Sequence, residues 1–261
     1  MFARLRGKTA LITGASAGIG EACAYQFAAA GANVVLTARR LERLERVRDR
    51  IGEQWPAVQV HIAALDVCDR AAVDRVVAGI PAALGGVDVL VNNAGKALGL
   101  DAVDAVSDET IDGMIDTNVK GLLYVTRAVL PLMKQQPAGG HIIMLGSIAG
   151  VAGYAGGSVY CASKSAVRAI SEALRAETNG IPVKVTEIRP GMVETEFSVV
   201  RFGGDAARAD AVYRGIQPLV ADDIAEMVVF AASRPAHCVV SEVVMLPKGQ
   251  VGVGQVHRKE E

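Results

Sequence analysis

Short runs of β-branched and apolar residues alternate with longer helical patterns along the whole chain. Seven such runs are predicted as strands, at residues 9–13, 33–38, 58–64, 87–92, 141–145, 183–188 and 239–245. Most of them are apolar throughout, which is typical of parallel strands that helices cover on both faces. The alternation therefore predicts an α/β fold in which a doubly wound, seven-stranded parallel sheet carries helices on both faces.

Six helices are predicted between these strands, at residues 20–30, 41–52, 70–79, 108–133, 160–179 and 222–233. No linker, charge block or repeat divides the chain, so we expect one domain over residues 1–261. The least regular stretch, at about 194–218, is predicted to be a lid over a substrate. The polar tail at 249–261 is predicted either to be disordered or to reach a neighbouring subunit.

Charge and composition argue against several classes of partner. The formal net charge is -1, so no overall field would attract nucleic acid or an anionic membrane. The first apolar run is too short for a signal peptide or a membrane span. The four cysteines and four histidines lack the spacing of metal ligands, and we expect buried, reduced thiols. These features predict a soluble, cytoplasmic protein that acts on a small molecule and has no metal site.

A glycine-rich segment, TGASAGIG at residues 13–20, follows the first strand and leads into a helix. Gly14 permits a tight turn, Gly18 lets a pyrophosphate approach the backbone, and Gly20 lets the helix pack closely on the sheet. Backbone N–H groups at the start of that helix favour an anion. The segment predicts the dinucleotide site of a Rossmann-type domain, and a purely structural turn is the alternative.

The second strand ends in two arginines, Arg39 and Arg40, where an NAD site would carry an acidic residue. Two guanidinium groups suit a 2′-phosphate, so the sequence favours NADP(H) over NAD(H). In the alternative interpretation, the arginines of residues 39–50 form a solvated helix face with salt bridges to Glu42 and Glu45.

Tyr160 and Lys164 are one turn apart on the same face of a predicted helix. Such a pair also arises by chance, so its surroundings must support it. Ser147 follows the fifth strand, at the sheet edge where ligand crevices form in open α/β sheets. Asn118 lies within the long predicted helix that follows the fourth strand.

Together with NNAG at 92–95 and PGMVET at 190–195, these residues resemble the short-chain dehydrogenase/reductase family over nearly the whole chain. The resemblance implies that Tyr160 is the general acid in reduction and the general base in oxidation. A phenol has an ordinary pKa near 10, and the charge of Lys164 favours its ionised form. Lys164 would also bind the nicotinamide ribose, Ser147 would hold the substrate oxygen, and Asn118 would anchor a water that links Lys164 to solvent.

The resemblance also implies a set of cofactor contacts that runs through all the motifs. These are Gly14, Ser16, Gly18, Ile19, Gly20, Arg39, Arg40, Asp66, Val67, Asn93, Ala94, Gly95, Tyr160, Lys164, Pro190, Gly191, Val193 and Thr195. One position departs from the pattern, because Ala17 stands where many NADP-preferring members carry Arg or Lys. The expected preference for NADP(H) therefore depends on Arg39 and Arg40.

Within the family, residues 92–99, 145–150 and 193–202 are similar to the NADP-dependent 3-hydroxy acid and serine dehydrogenases. This similarity implies a substrate such as serine, allo-threonine, 3-hydroxyisobutyrate or 3-hydroxypropionate. A carboxylated substrate needs a fixed cation, for which we select Arg201, and Tyr154 could add a hydroxyl group. The alternatives are a surface ion pair of Arg201 with Glu194 or Glu196, and an apolar packing role for Tyr154.

Two other functions remain open at this point. One is a broad NADPH-dependent reductase of aldehydes and ketones, including small sulfonated aldehydes. The other is a non-catalytic NADPH-binding sensor, against which the presence of all four catalytic residue types argues. The resemblance also implies a homo-oligomer, expected to be a tetramer, with the helices at 108–133 and 160–179 in the interface.

Overall fold

The computed structural model describes residues 2–259 and is built around one seven-stranded sheet. Its strands are β1 (Thr9–Thr13), β2 (Asn33–Ala38), β3 (Val60–Ala64), β4 (Val89–Asn92), β5 (Gly140–Leu145), β6 (Val183–Pro190) and β9 (Glu242–Met245). They lie in the order β3-β2-β1-β4-β5-β6-β9, and every neighbouring pair is parallel. Two small sheets pair β7 (Val193–Glu194) with β8 (Leu219–Val220), and β10 (Gln250–Gly252) with β11 (Gln255–Val256). The predicted doubly wound parallel sheet is confirmed.

The structure has nine α-helices within residues 2–259, where the sequence patterns predict six. They are α1 (Gly18–Ala29), α2 (Leu41–Gln54), α3 (Arg70–Ala78), α4 (Asp108–Ile115), α5 (Leu122–Gln135), α6 (Ser158–Glu177), α7 (Glu196–Arg201), α8 (Ala206–Ala211) and α9 (Ala221–Ala232). Short 3₁₀ turns lie at Phe2–Leu5, Ala82–Leu84 and Ile148–Gly150. In this part of the chain, no helix has both the length and the apolar character needed to cross a bilayer.

The apolar strands bury both of their faces. In β1, Ala10 and Ile12 pack into a core shared with Cys23 of α1 and Val228 of α9, while Leu11 packs into the opposite core. The second core contains side chains of α3, α5 and α6. Full burial of one such aliphatic side chain contributes about 1.5–3 kcal/mol, so the buried residues of the central strands fix the sheet.

The helix predicted over 108–133 is wrong in one respect, because a π-helical turn at Asp116–Gly121 divides it into α4 and α5. Gly121 packs against Val67, which lies between β3 and α3, and an added Cβ would be 2.5 Å from Cγ2 of Val67. The wider turn also brings the amide of Asn118 against the backbone of Lys96. Single π turns of this kind occur frequently at functional sites.

The boundaries of three strands also differ from the prediction. The structure begins β3, β4 and β9 at residues 60, 89 and 242, two or three residues later than the apolar runs suggest. The residues before them complete turns; the N–H of Val58, for example, donates to the carbonyl of Trp55 at 2.9 Å. The apolar runs therefore begin before the residues that form the hydrogen bonds between strands.

Residues 194–218, which we call the lid segment, contain α7 and α8 and so have more regular structure than the sequence suggests. The tail folds back onto the lid segment instead of extending away from its own chain. The Arg258 guanidinium donates to the carbonyls of Val212, at 3.0 Å, and Arg214, and the N–H of Lys259 donates to the carbonyl of Gly215 at 2.8 Å. Residues 260–261 of the predicted tail lie outside the described residues.

Candidate active site

A cleft of about 650 Å³ lies at the carboxyl ends of the strands. It forms where the chain leaves β1 and β4, the two central strands from which successive connections run in opposite directions along the sheet. This topological switch point is where open α/β sheets bind their ligands. Of the site residues predicted from the sequence, all but Gly20 and Asn118 line the cleft.

The glycine-rich segment forms one wall of the cleft. Gly14 and Gly18 have φ angles of 67° and 57°, a left-handed conformation that favours glycine. Gly20 does not line the cleft, and a Cβ there would clash with the carbonyl oxygen of Gly14, so this close packing requires glycine. Ala17 provides no side-chain cap for α1, so the first N–H groups of that helix have no side-chain partner from the cap residue, and Ala17, Gly18 and Ile19 line the cleft. This cradle fits the pyrophosphate of a dinucleotide.

The two arginines after β2 line the same end of the cleft. Nη2 of Arg40 donates to Oγ of Ser16 at 3.2 Å, which connects the second strand to the glycine-rich turn. Arg40 and Arg43 also form salt bridges to Glu196 of the lid segment, at 3.3 and 2.6 Å. Within residues 2–259, Arg40 and Arg43 form no salt bridge to Glu42 or Glu45. The alternative interpretation, a helix face held by its own salt bridges, is therefore wrong for these two arginines.

Tyr160 and Lys164 of α6 face the end of β5. Nζ of Lys164 donates to the carbonyl of Leu145 at 2.8 Å and lies 5.9 Å from the centroid of the Tyr160 ring. Burial lowers the pKa of Lys164 to about 8, although the negative charge of Glu187 opposes the shift. Burial raises the pKa of the Tyr160 phenol, and the hydrogen bond with Ser147 and the charge of Arg201 act in the opposite direction. The site therefore joins a phenol, a hydroxyl group and two cations.

Asn118 supports this group from behind. Its Nδ2 donates to the carbonyl of Lys96 at 2.8 Å and to Oγ of Ser163 at 3.0 Å, and its Oδ1 accepts from the N–H of Lys96 at 2.8 Å. A Cβ on Gly95 would be 3.3 Å from Asn118 Oδ1 and 3.7 Å from Lys164 Nζ. Asn118 is thus buried and holds the backbone at Gly95 and Lys96, which lies between Asn118 and Lys164. Its expected role as a water anchor stays a prediction.

Arg201 closes the other end of the cleft, over Tyr160. Its Nη2 donates to the Tyr154 hydroxyl at 2.7 Å and its Nε donates to the carbonyl of Gly99 at 3.1 Å. The guanidinium carbon lies 5.8 Å from the centroid of the Tyr160 ring. Among the described residues no carboxylate pairs with Arg201, so the ion pair with Glu194 or Glu196 is wrong. The hydrogen bond likewise excludes a purely apolar role for Tyr154.

Several residues of the cleft were not anticipated from the sequence. Among them are Lys96, Leu100, Met192, Glu196, Phe197, Phe202, Gln250, Val253, Gly254, Val256 and Arg258. Phe197 follows Thr195 of the PGMVET motif by two positions, and its ring meets that of Tyr160 edge-on at 5.8 Å. The tail residues carry no local signal, because only the fold of the tail brings them to the cleft.

The four cysteines differ in how deeply they are buried. Cys23 and Cys161 are buried, as expected, whereas Cys68 and Cys238 are only half-buried. Cys68 lies beside the predicted adenine contacts Asp66 and Val67, and its Sγ is 3.5 Å from Oγ1 of Thr117. The expectation of four buried thiols is therefore wrong for two of them.

Known proteins share this arrangement over nearly the whole chain. The profile of the short chain dehydrogenase family matches residues 8–202. An NADP-dependent 3-hydroxy acid dehydrogenase of Schizosaccharomyces pombe is 43% identical over 260 residues, covering 99% of this chain and 100% of the relative. Sulfoacetaldehyde reductase 2 of Chromohalobacter salexigens is 45% identical over 240 residues, covering 92% and 94%. The closed form of serine dehydrogenase complexed with NADP⁺ superposes with a TM-score of 0.89 at 44% identity, covering 96% of this chain and 100% of that structure.

Proposed function

This chain belongs to the short chain dehydrogenase family, and we propose that it moves a hydride between NADP(H) and the hydroxyl or carbonyl carbon of a small 3-hydroxy acid. The observation that carries the substrate class is the position of Arg201. A guanidinium group without a carboxylate partner among the described residues lies beside the Tyr160 ring and inside the cleft. A half-buried cation in that position, with no counter-charge beside it, favours an anionic ligand.

The cofactor half of the site fits a 2′-phosphorylated dinucleotide. The cradle of Gly14 and Gly18 leaves no side chain between the backbone and a pyrophosphate. Arg39 and Arg40 supply positive charge where the adenosine ribose would end, and Thr195 lies against Gly18 on the opposite wall. A relative and a solved structure of similar sequence carry NADP in their names, which supports the same cofactor here. When bound, the nicotinamide supplies or accepts the hydride.

Tyr160 moves the proton that accompanies the hydride. In reduction, its O–H donates to the carbonyl oxygen as that oxygen gains charge, and in oxidation the phenolate takes the proton of the alcohol. Lys164 and Arg201 both place positive charge near the Tyr160 ring, which lowers the free energy of the phenolate. Ser147 lines the cleft with the phenol, whose pKa it lowers, and orients the same substrate oxygen. Asn118 holds the backbone beside Lys164.

The carboxylate of the substrate lies on the Arg201 side of the cleft. The planar guanidinium can receive it through two parallel hydrogen bonds, and the Tyr154 hydroxyl that accepts from Nη2 fixes the direction of the fork. With Tyr160 at the reacting carbon and Arg201 beyond it, the cleft suits acids that carry the hydroxyl group on carbon 3. Serine, allo-threonine, 3-hydroxyisobutyrate and 3-hydroxypropionate have this pattern.

A second candidate substrate is a small sulfonated aldehyde. A sulfonate carries the same charge as a carboxylate and can accept from the same guanidinium nitrogens. The similarity to sulfoacetaldehyde reductase 2 of Chromohalobacter salexigens favours this candidate. A neutral ketone would leave Arg201 without a counter-charge, so we place broad ketone reduction behind both anionic substrates.

The location and the assembly of the protein are further parts of the proposal. We place it in the cytoplasm, since its four cysteines are free and reducing conditions keep them so. We propose a homotetramer in which α5 and α6 form interfaces, because Leu123 and Leu132 leave about 42% and 36% of their surface exposed on α5. Light scattering on the purified protein tests the tetramer, and a monomer would exclude it.

The test of the proposed function is a matrix of two cofactors and several substrates. Reduced nicotinamide is followed by its absorbance with NADP⁺ or NAD⁺ and with L-serine, L-allo-threonine, 3-hydroxyisobutyrate, 3-hydroxypropionate and one neutral secondary alcohol, and reduction of sulfoacetaldehyde is assayed in reverse. Turnover of the hydroxy acids with NADP⁺ supports the proposal. Turnover of only the neutral alcohol would exclude an anionic substrate, and equal rates with NAD⁺ would exclude the NADP preference.

A further inference from the structure

The carboxylate of Glu196, in the lid segment, contacts two arginines at the end of the cleft where the cofactor would bind. Nη1 of Arg43 donates to both carboxylate oxygens of Glu196, at 2.6 and 2.7 Å. Nη1 and Nη2 of Arg40 donate to Oε2 at 3.3 Å each. These contacts are the charged link between α2 and the first turn of α7, which Thr195 caps by accepting from the N–H of Phe197. One carboxylate therefore attaches the lid segment to two guanidinium groups.

Under the proposed preference for NADP(H), a 2′-phosphate would draw on the terminal nitrogens of Arg40 as well. Nη2 of Arg40 reaches Oγ of Ser16 in the glycine-rich turn as well as Glu196, so both terminal nitrogens are engaged in the structure. A phosphate that binds between Ser16 and Arg40 comes close to the Glu196 carboxylate. Two acidic groups compete for these donors and repel each other, and within residues 2–259 Arg39 forms no salt bridge to Glu196.

We propose that Glu196 occupies the guanidinium groups that receive the 2′-phosphate, so that a 2′-phosphorylated cofactor must displace its carboxylate from Arg40. This inference rests on the proposed preference for NADP(H). Glu196 is then a specificity-determining residue that lowers the affinity for the 2′-phosphate. Its carboxylate anchors the lid segment to the same arginines that the phosphate needs. Its effect is confined to ligands that carry that phosphate group.

The experiment measures binding of two fragments to the full chain by calorimetry. Adenosine 2′,5′-bisphosphate carries the 2′-phosphate, and adenosine 5′-phosphate lacks it. The variants are Glu196→Gln and, as the matched control, Glu194→Gln, which removes the same charge from the lid segment at an exposed position without a salt bridge to the arginines. Glu196→Gln should bind the bisphosphate about fivefold more tightly than the wild type, and the gain should shrink as salt is added. Binding of adenosine 5′-phosphate, and all binding to Glu194→Gln, should match the wild type.

The outcomes separate this inference from the proposed cofactor. If the wild type binds both fragments equally, the NADP preference fails, and the inference fails with it. If the wild type prefers the bisphosphate but Glu196→Gln gains nothing or binds it more weakly, the inference alone fails, since the carboxylate then orients the arginines instead of competing for them. An equal gain for both fragments would also overturn it. Circular dichroism and the thermal midpoint show that each variant is folded.

Discussion

The guanidinium of Arg201 donates a 2.7 Å hydrogen bond to the hydroxyl of Tyr154, although the two residues are 47 positions apart in the chain. Arg201 ends the first helix of the lid segment and Tyr154 lies in the loop before α6, so the bond links two separate parts of the chain that line the cleft. It fixes the direction in which the remaining N–H groups of Arg201 point. This geometry underlies the first prediction, on substrate charge.

Replacing Arg201 with leucine should raise KM for a 3-hydroxy acid about 10- to 100-fold, because each charge-assisted hydrogen bond contributes roughly 1.5–3 kcal/mol. The KM for a neutral alcohol should change less than about threefold, since it makes no such bond, whereas loss of the charge beside Tyr160 should lower kcat for both substrates alike. Steady-state kinetics with both substrates measure the difference. Arg208→Leu is the control, because Arg208 stacks on Phe202 of the same segment but does not line the cleft. Equal rises in KM for the acid and the neutral alcohol would rule out a carboxylate contact.

A second prediction concerns Ser147 and the pH dependence of oxidation. The hydrogen bond with Ser147 lowers the pKa of Tyr160 against the upward shift that burial causes. Ser147→Ala should therefore raise the pKa of the phenol, and the rise of kcat with pH should move to more alkaline pH. The rate below that pH should fall about 10- to 100-fold, because less phenolate is available as a base.

The measurement is the pH profile of alcohol oxidation for the wild type and Ser147→Ala. Ser165→Ala is a suitable control, because Ser165 is an exposed serine of α6 that donates to the carbonyl of Gly150. Its profile should match that of the wild type. A lower rate with an unshifted profile in Ser147→Ala would mean that Ser147 holds the substrate without acting on the phenol.

The fold could be predicted because the sheet is buried on both faces. Strands such as β2 and β5 then need an apolar residue at nearly every position, and that composition is visible locally. The division of the long helix could not be predicted in this way. It depends on contacts of Asn118 with Lys96 and of Gly121 with Val67, residues 22 and 54 positions away in the sequence.

The candidate site shows the same contrast. The glycine-rich turn and the Tyr160–Lys164 pair are local patterns, so their positions follow from strand ends and helix periodicity. Glu196 gave no such signal, because its partner Arg43 is 153 positions away and an acidic residue at the start of a helix has an ordinary explanation in the helix dipole. Arg258 reaches the cleft only because the tail turns back at β10 and β11.

A third prediction tests the arginines after β2. The double variant Arg39→Gln, Arg40→Gln should lower kcat/KM for NADP⁺ about 10- to 100-fold and leave kcat/KM for NAD⁺ nearly unchanged, because only the former presents a charged 2′-phosphate. The control is Arg46→Gln, Arg48→Gln, which removes two charges further along α2, outside the cleft. A parallel loss for both cofactors in the first variant would show that its arginines support the fold rather than the phosphate.

A fourth prediction concerns stability in mild acid. His141 is buried in β5, where its Nε2 is 2.8 Å from Oγ1 of Thr186 and its cross-strand neighbour is Lys184. Burial, and then the charge of Lys184, lowers the pKa of His141 to about 3. In the unfolded chain an imidazole titrates near 6.5, so between these two values the unfolded state binds the proton and the folded state does not. The stabilisation is complete above about pH 6.5 and is lost as the pH falls below it, by up to about 1.4 kcal/mol per pH unit.

Urea unfolding at about pH 7.5 and about pH 5.5 measures this loss in a range where carboxyl groups change little. The wild type should lose about 1 kcal/mol of unfolding free energy between the two conditions, and His141→Gln should lose much less, whatever its absolute stability. His237→Gln replaces an exposed histidine and should keep the wild-type difference. Should His141→Gln lose as much as the wild type, then the imidazole of His141 does not resist protonation in the fold, and other groups must account for the acid sensitivity.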